Sequence, residues 1–145
     1  GKLQTAGRLK IGYYDHKLFI CLPSGRKLAY IEPERRLNSF NRMELTYMGV
    51  GKTRKWERIM TYGPKLVENC IQAIARDILA EAMLRVDAAG FDIVAHVHDE
   101  MIVEVPNGKS SVKELCDMMA ESPDWVDDKL PLRADGYECE WYRKD

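Results

Sequence analysis

Nowhere in its 145 residues does this chain string together the roughly 20 apolar residues that a membrane-spanning helix requires. Its first residues, Gly1 to Thr5, lack the apolar core of a secretory signal. A cytoplasmic location with no membrane partner is the expectation. Cysteine is sparse: Cys21, Cys70, Cys116 and Cys139 stand far apart and form no CxxC pair, which argues against a zinc ribbon and a disulfide framework. They read as reduced thiols, mostly buried. Histidine is scarcer still, only His16, His96 and His98, so a histidine-rich metal centre has few ligands to draw on. Internal repeats and low-complexity segments are absent.

What is present is an ordinary globular composition, 46% hydrophobic and 31% charged, which excludes disorder and collagen-like repeats. A single domain over 1–145 follows from the length. The net charge of -1 conceals a strong asymmetry. Residues 1–65 hold 14 Lys+Arg against 5 Asp+Glu, net +9, and residues 66–145 hold 8 against 18, net -10. A basic end of this kind suits phosphates, and an acidic end suits divalent cations or a solvated surface.

Within a basic segment, 1–62, the two apolar runs of Lys17 to Pro33 surround Pro23-Ser24-Gly25 and predict a β-hairpin. Asn38 to Trp56 alternates irregularly, with Gly49, Gly51 and cations including Lys52, Arg54, Lys55 and Arg58, and reads as a loop with short strands. The segment 63–145 opens with the strongest helix, from Gly63-Pro64 to a left-handed cap at Gly90, about 38 Å long at 1.5 Å per residue. Val67, Ile71, Ile74, Ala75, Ile78, Leu79, Ala82 and Val86 form its expected buried face. Lys65, Asn69, Gln72 and Arg76 form a stripe of long hydrogen-bonding side chains on the other side.

Asp92 to Val97 and Met101 to Val105 then flank His98-Asp99-Glu100 as a second hairpin. Ser111 to Glu114 is a capping box opening a short helix with Leu115, Met118 and Met119 on its apolar side. Tyr137 to Tyr142 alternates as a last strand. Helices interleaved with antiparallel hairpins predict an α+β fold.

The adjacent carboxylates Asp99 and Glu100 sit where they contribute nothing to packing and repel one another, so the turn either faces water or holds a cation. His96 and His98, two apart, share a face if both lie on a strand. A zinc or iron hydrolase would use His96, His98, Asp99 and Glu100 as ligands, but a further ligand should recur elsewhere and only His16 is left, so a core role for His96 is preferred.

Taken together, Tyr62 to Met83 and Ile93 to Val105, with the VHDE tetrapeptide at Val97 to Glu100, resemble the C-terminal palm of family-A DNA polymerases, above all the phage and prophage branch. The Gly25-Arg26-Lys27 turn and the ending Leu130 to Tyr142 fit that branch too. The resemblance implies a palm-like α+β fold, in which one antiparallel sheet including the motif C hairpin packs on the long helix, with a short helix beside it. It implies Asp99 as the motif C metal-binding aspartate, Glu100 beside it and His98 near the primer end, with two Mg²⁺ ions, dNTP and primer-template DNA as cofactor, substrate and partner. Gln72 resembles the family's glutamine that reads minor-groove acceptors common to all base pairs, and Arg76 and Arg26 are further DNA contacts it implies. Four and eight residues before Gln72, where many relatives carry Asn and Arg, this chain has Glu68 and Pro64. Asn69 and Lys65, each one residue away on the face of Gln72, are expected to take those roles. Motif A and the fingers lysine are missing: Asp15 and Asp135 lack the motif A surroundings. The rest of the palm and the fingers must therefore come from upstream domains, and the chain alone is expected to be inactive, either a fragment of a polymerase or a non-catalytic remnant that binds DNA or protein.

Overall fold

The computed structural model describes residues 3–127 and 130–142. The fold is α+β. A six-stranded antiparallel meander is built from β1 (Gln4–Ala6), β2 (Leu9–Tyr14), β3 (Lys17–Cys21), β4 (Lys27–Leu37), β5 (Met43–Val50) and β6 (Trp56–Thr61), paired in sequence order. Helix α1 (Gly63–Ala88), a separate two-stranded sheet of β7 (Asp92–Val97) and β8 (Glu100–Glu104), and helix α2 (Val112–Ala120) follow. The chain divides into two compact units, up to Ile74 and from Ala75 on, so the boundary falls inside α1 rather than before it.

The predicted hairpin at Lys17 to Pro33 is present as β3 and β4, with β4 running on past Pro33 to Leu37. The segment Asn38 to Trp56 is more ordered than its irregular alternation suggests: β5 and β6 pair over six residues, from Leu45↔Thr61 to Val50↔Trp56. The reason lies in the turns. Three loops of five residues, Leu22–Arg26, Asn38–Arg42 and Gly51–Lys55, close in one way. The first N–H bonds the fifth carbonyl at 2.8, 2.8 and 2.9 Å, and the fourth N–H bonds the first carbonyl at 3.0, 3.0 and 2.9 Å. The fourth residue takes positive φ each time, at Gly25 (89°), Asn41 (56°) and Arg54 (60°). Gly and Asn adopt that region readily, whereas Arg does not, and Arg54 therefore hid the third turn from a reading by turn residues. Asn38 adds an Asx turn, its Oδ1 accepting from the N–H of Phe40 at 2.9 Å and of Arg42 at 3.0 Å.

In the first unit Ile20 and Tyr30 of the sheet and Leu22 of the loop after β3 bury against Cys70 and Ala73 of α1. The Asn69 amide donates to the Tyr30 hydroxyl at 3.2 Å, and Arg26 Nη2 donates to the Ala73 carbonyl at 2.7 Å. Burial pushes the Tyr30 phenol above its ordinary pKa, so the hydroxyl stays protonated. The predicted buried face of α1 is corrected here: Val67, Ile71 and Ala75 are exposed, and the inward positions in this unit are Cys70 and Ala73. Small side chains let the helix backbone approach the sheet, a gain that a ranking by hydrophobicity does not register.

In the second unit Leu79, Ala82, Val86 and Val126 are buried. Helix α1 ends as predicted, with Gly90 at φ 87°, its N–H on the Asp87 carbonyl at 2.9 Å and the Phe91 N–H on the Val86 carbonyl at 3.3 Å, the pairing of a Schellman motif. Ser111 caps α2 by accepting from the Glu114 N–H at 3.2 Å, while the Glu114 carboxylate accepts from Ser110 Oγ at 2.7 Å rather than closing back on Ser111. Arg85 of α1 donates to the Met118 carbonyl in the last turn of α2 and pairs with Glu121 at 3.3 Å. It supplies the cation that the α2 sequence lacks at its C-terminal end.

Three further expectations are corrected. The VHDE hairpin does not join the large sheet but forms its own. Tyr137 to Tyr142 is irregular, because alternation makes a strand only where a neighbouring strand pairs with it, and among the described residues no sheet includes this stretch. Of the four cysteines only Cys70 is buried; Cys21 and Cys116 are half-buried and Cys139 is exposed. Burial also raises the Cys70 thiol pKa. Iodoacetamide at pH 8 should therefore modify Cys139 first and Cys70 only on unfolding, and equal rates by peptide mass spectrometry would show that the helix is not seated on the sheet. Ala73→Leu should overpack that seat and destabilise the protein by about 1–3 kcal/mol in urea unfolding.

Candidate functional site: the VHDE hairpin

Strands β7 and β8 are joined by the shortest hairpin loop available. Val97 faces Glu100 across the ladder, leaving His98 and Asp99 as the two turn residues. His98 takes φ 54°, the sign that such turns require at the first central position and one that a side chain with Cβ adopts at a cost of about 1–2 kcal/mol. The turn is therefore held by its strands, not by its own preference. Hydrophobic arms make that possible: Ile93 pairs with Val103 and Ala95 with Ile102, with a bulge between Ile93 and Ala95.

This geometry redistributes the polar residues. Glu100 belongs to β8 and not to the turn, and His98 belongs to the turn and not to β7, so the expectation that His96 and His98 share a strand face does not hold. His96 pairs with Met101, one step along from the Val97–Glu100 pair, and successive pairs project to opposite faces. His96 and Glu100 accordingly lie on opposite faces of the hairpin. His96 is also exposed, which corrects the core role preferred for it. Arg76 of α1 covers it: Nη1 lies 3.3 Å from Nδ1 and Nη2 lies 3.3 Å from Nε2. The paired spacing fits a guanidinium lying over the imidazole ring, an arrangement suited to the planar arginine fork.

Asp99 and Glu100 are both exposed at the end of the hairpin, adjacent and accessible from solvent. Among the described residues no group of three or more His, Cys, Asp or Glu side chains converges as a metal site would require. The hydrolase ligand set of His96, His98, Asp99 and Glu100 is thus not assembled. The pair Asp99 and Glu100 offers a cation carboxylate oxygens from one side only.

The stripe on α1 also separates. Lys65 is held by Glu68, at 3.0 Å from both carboxylate oxygens, and the hydrogen bond and charge of Glu68 raise its pKa. Asn69 is half-buried and committed to Tyr30, Arg76 covers His96, and Arg26 reaches the Ala73 carbonyl. Gln72 is exposed and has no hydrogen-bond partner among the described residues. Of the five candidate DNA contacts, Gln72 is the one whose side chain carries no structural duty. Sequence reasoning missed the duties of Asn69, Arg76 and Arg26 because each partner lies 20 or more residues away in the chain.

Comparison with known proteins bears on this hairpin directly. The DNA polymerase of Bacillus phage SP02 is 47% identical to this chain over 134 residues, 92% of its length. Nearly the whole chain is similar to a stretch of a phage DNA polymerase. It spans only 20% of that polymerase's length. No protein-family model matches the chain, and no solved structure matches it. Among the described residues no helix is long and apolar enough to cross a membrane.

His98→Gly should relieve the turn and raise stability by up to about 1 kcal/mol. A higher urea midpoint with an unchanged slope is the expected result, and a lower midpoint would mean that the His98 side chain itself supports the hairpin.

Proposed function

We propose that this chain is the part of a phage-type, family-A DNA polymerase that carries the motif C hairpin, contributing Asp99 and Glu100 to nucleotidyl transfer on a primer-template. The observation that carries this reading is the 47% identity to a phage DNA polymerase over almost the full chain, a span that includes a hairpin with an exposed carboxylate pair, Asp99 and Glu100, at its end. An alignment of that extent is not produced by a shared tetrapeptide.

In this reading the chain works by positioning. The two-residue turn fixes Asp99 at the end of a short, stiff ribbon, and the hydrophobic arms resist rotation of the pair. Asp99 and Glu100 are the residues that would hold Mg²⁺, whose chemistry is to lower the charge barrier to attack on a triphosphate. In this reading the opposing clamp and the groups that hold the incoming dNTP belong to other parts of the polymerase, since the chain spans 20% of the phage relative's length. Arg76 keeps its guanidinium over His96 and steadies β7 against the helix that bears Gln72. Gln72 would face the minor groove, where hydrogen-bond acceptors are common to all base pairs, so its contact would sense pairing geometry rather than sequence. A palm-like assembly would also give the VHDE hairpin further strands to pair with.

Primer extension tests the proposal. This chain alone, given Mg²⁺, dNTPs and a primer-template, should extend nothing. Combined with a polypeptide carrying the preceding polymerase domains it should support extension, and Asp99→Asn should lower that rate by about three powers of ten, or ~4 kcal/mol of transition-state stabilisation. Extension by the isolated chain would refute the incomplete site, and full activity of Asp99→Asn in the combined enzyme would refute the role of Asp99.

A further inference from the structure

The six-stranded sheet sorts its charges by end. In a meander the loops alternate between the two ends, so the Gly7–Arg8 turn and the Leu22–Arg26 and Gly51–Lys55 loops share one end, and the Asp15–His16 turn and the Asn38–Arg42 loop share the other. The carboxylates gather at the second end and are engaged there. Asp15 pairs with Lys17 at 2.7 Å, Glu34 with Arg36 at 2.7 Å, Glu32 and Glu34 with Arg58, and Glu44 accepts from Asn38 at 2.6 Å. The hydrogen bonds and charges of Lys17 and Arg36 hold Asp15 and Glu34 below the usual carboxylate range. At the first end Arg8, Lys10, Lys27, Lys52, Arg54 and Lys55 are exposed, and none forms an ion pair among the described residues. The one carboxylate of the strands near them, Glu57, alternates to the opposite face from Trp56 and lies over Gly51 at the start of the loop, without forming an ion pair with these cations.

One face of the sheet carries exposed aromatic surface, with Trp56 beside the Gly51–Lys55 loop at this end and Tyr14 beside the Asp15–His16 turn at the other. Lys10, Cys21 and Lys27 are successive cross-strand partners, as are Gly12, Phe19 and Ala29, so both rows project from one face, opposite to the buried row of Ile20 and Leu28. Following the register through Tyr14, Lys17, Ile31 and Met48 places Val50 and Trp56 on that face as well. Tyr14 is 75% exposed and Trp56 57%. Gly12, Tyr14, Phe19, Cys21 and Lys27 line a shallow groove of about 380 Å³ on it. Unneutralised cations beside the open Trp56 ring, on a face with a shallow groove, are complementary to one kind of partner, a polyanion with unpaired planar bases.

We propose that this outer sheet face, rimmed by Arg8, Lys10, Lys27 and the Lys52–Lys55 loop, binds single-stranded nucleic acid, with phosphates on the cations and a base stacked on Trp56. The site lies wholly in the first unit and needs neither Asp99 nor Gln72. It goes beyond the polymerase reading and stands apart from it: binding by a chain that never supports extension would separate the two.

The test is fluorescence anisotropy of labelled oligothymidylate and of a blunt duplex, titrated with the full chain over a range of salt. Oligothymidylate should bind more tightly, with a salt slope of about -0.7 per phosphate neutralised, and should quench tryptophan fluorescence. Lys52→Gln with Arg54→Gln and Lys55→Gln should weaken binding at least about tenfold and reduce the slope by about 2. Trp56→Leu should remove the quench. Lys10→Gln with Lys27→Gln, on strands whose pairing does not involve those side chains, gives the same readout should the loop variant fail to fold. Unchanged affinity and slope in the folded variants, or tighter binding to the duplex, would overturn the proposal.

Discussion

Close approach of α1 to the sheet is the constraint on which the first unit depends. Cys70 and Ala73 are small enough to let the helix backbone settle onto Ile20, Leu22 and Tyr30. Once it has settled, two long side chains reach across: Asn69 to the Tyr30 hydroxyl and Arg26 to the Ala73 carbonyl. Each such bond contributes only about 1 kcal/mol, but each also removes a polar group from competition with water at the edge of the core. The outward position of Gln72 follows, because it lies on the helix away from Cys70 and Ala73.

The VHDE hairpin obeys a different constraint. It has little burial of its own, and its precision comes from the shortness of its loop. A two-residue turn leaves no freedom of register, so Asp99 is delivered to one place as long as the arms pair. Positive φ at His98 is a cost that the ladder offsets, and the Arg76 guanidinium over His96 ties β7 to the helix. Under the proposed function, a carboxylate pair presented from one side would be one contributor's share of a metal site.

Charge follows the same economy of placement. The basic excess of residues 1–65 is distributed so that the carboxylates pair with cations toward one end of the sheet, where Arg35 and Arg42 also lie, while Arg8, Lys10, Lys27, Lys52, Arg54 and Lys55 at the other end form no ion pair among the described residues. Meander topology does this without any special motif, since alternate loops fall at opposite ends and the sequence needs only to vary the composition of alternate turns.

Local chemistry was enough to read α1, its Gly90 cap, the Ser111 cap of α2, the Lys17 to Pro33 hairpin and the VHDE turn, because each is set by residues within a few positions of one another. The carboxylate pair was legible for the same reason. Only tertiary structure decided that Asn38 to Trp56 forms long strands closed by an arginine in a left-handed turn, that Cys70 and Ala73 rather than Val67 and Ile71 face inward, and that Tyr137 to Tyr142 stays irregular. It also decided which of Lys65, Asn69, Gln72, Arg76 and Arg26 is open to a ligand, since four of the five are engaged by partners, three of them far along the chain. Periodicity and caps report what a segment can be; a neighbour across space determines which face it buries and which side chains it leaves to solvent.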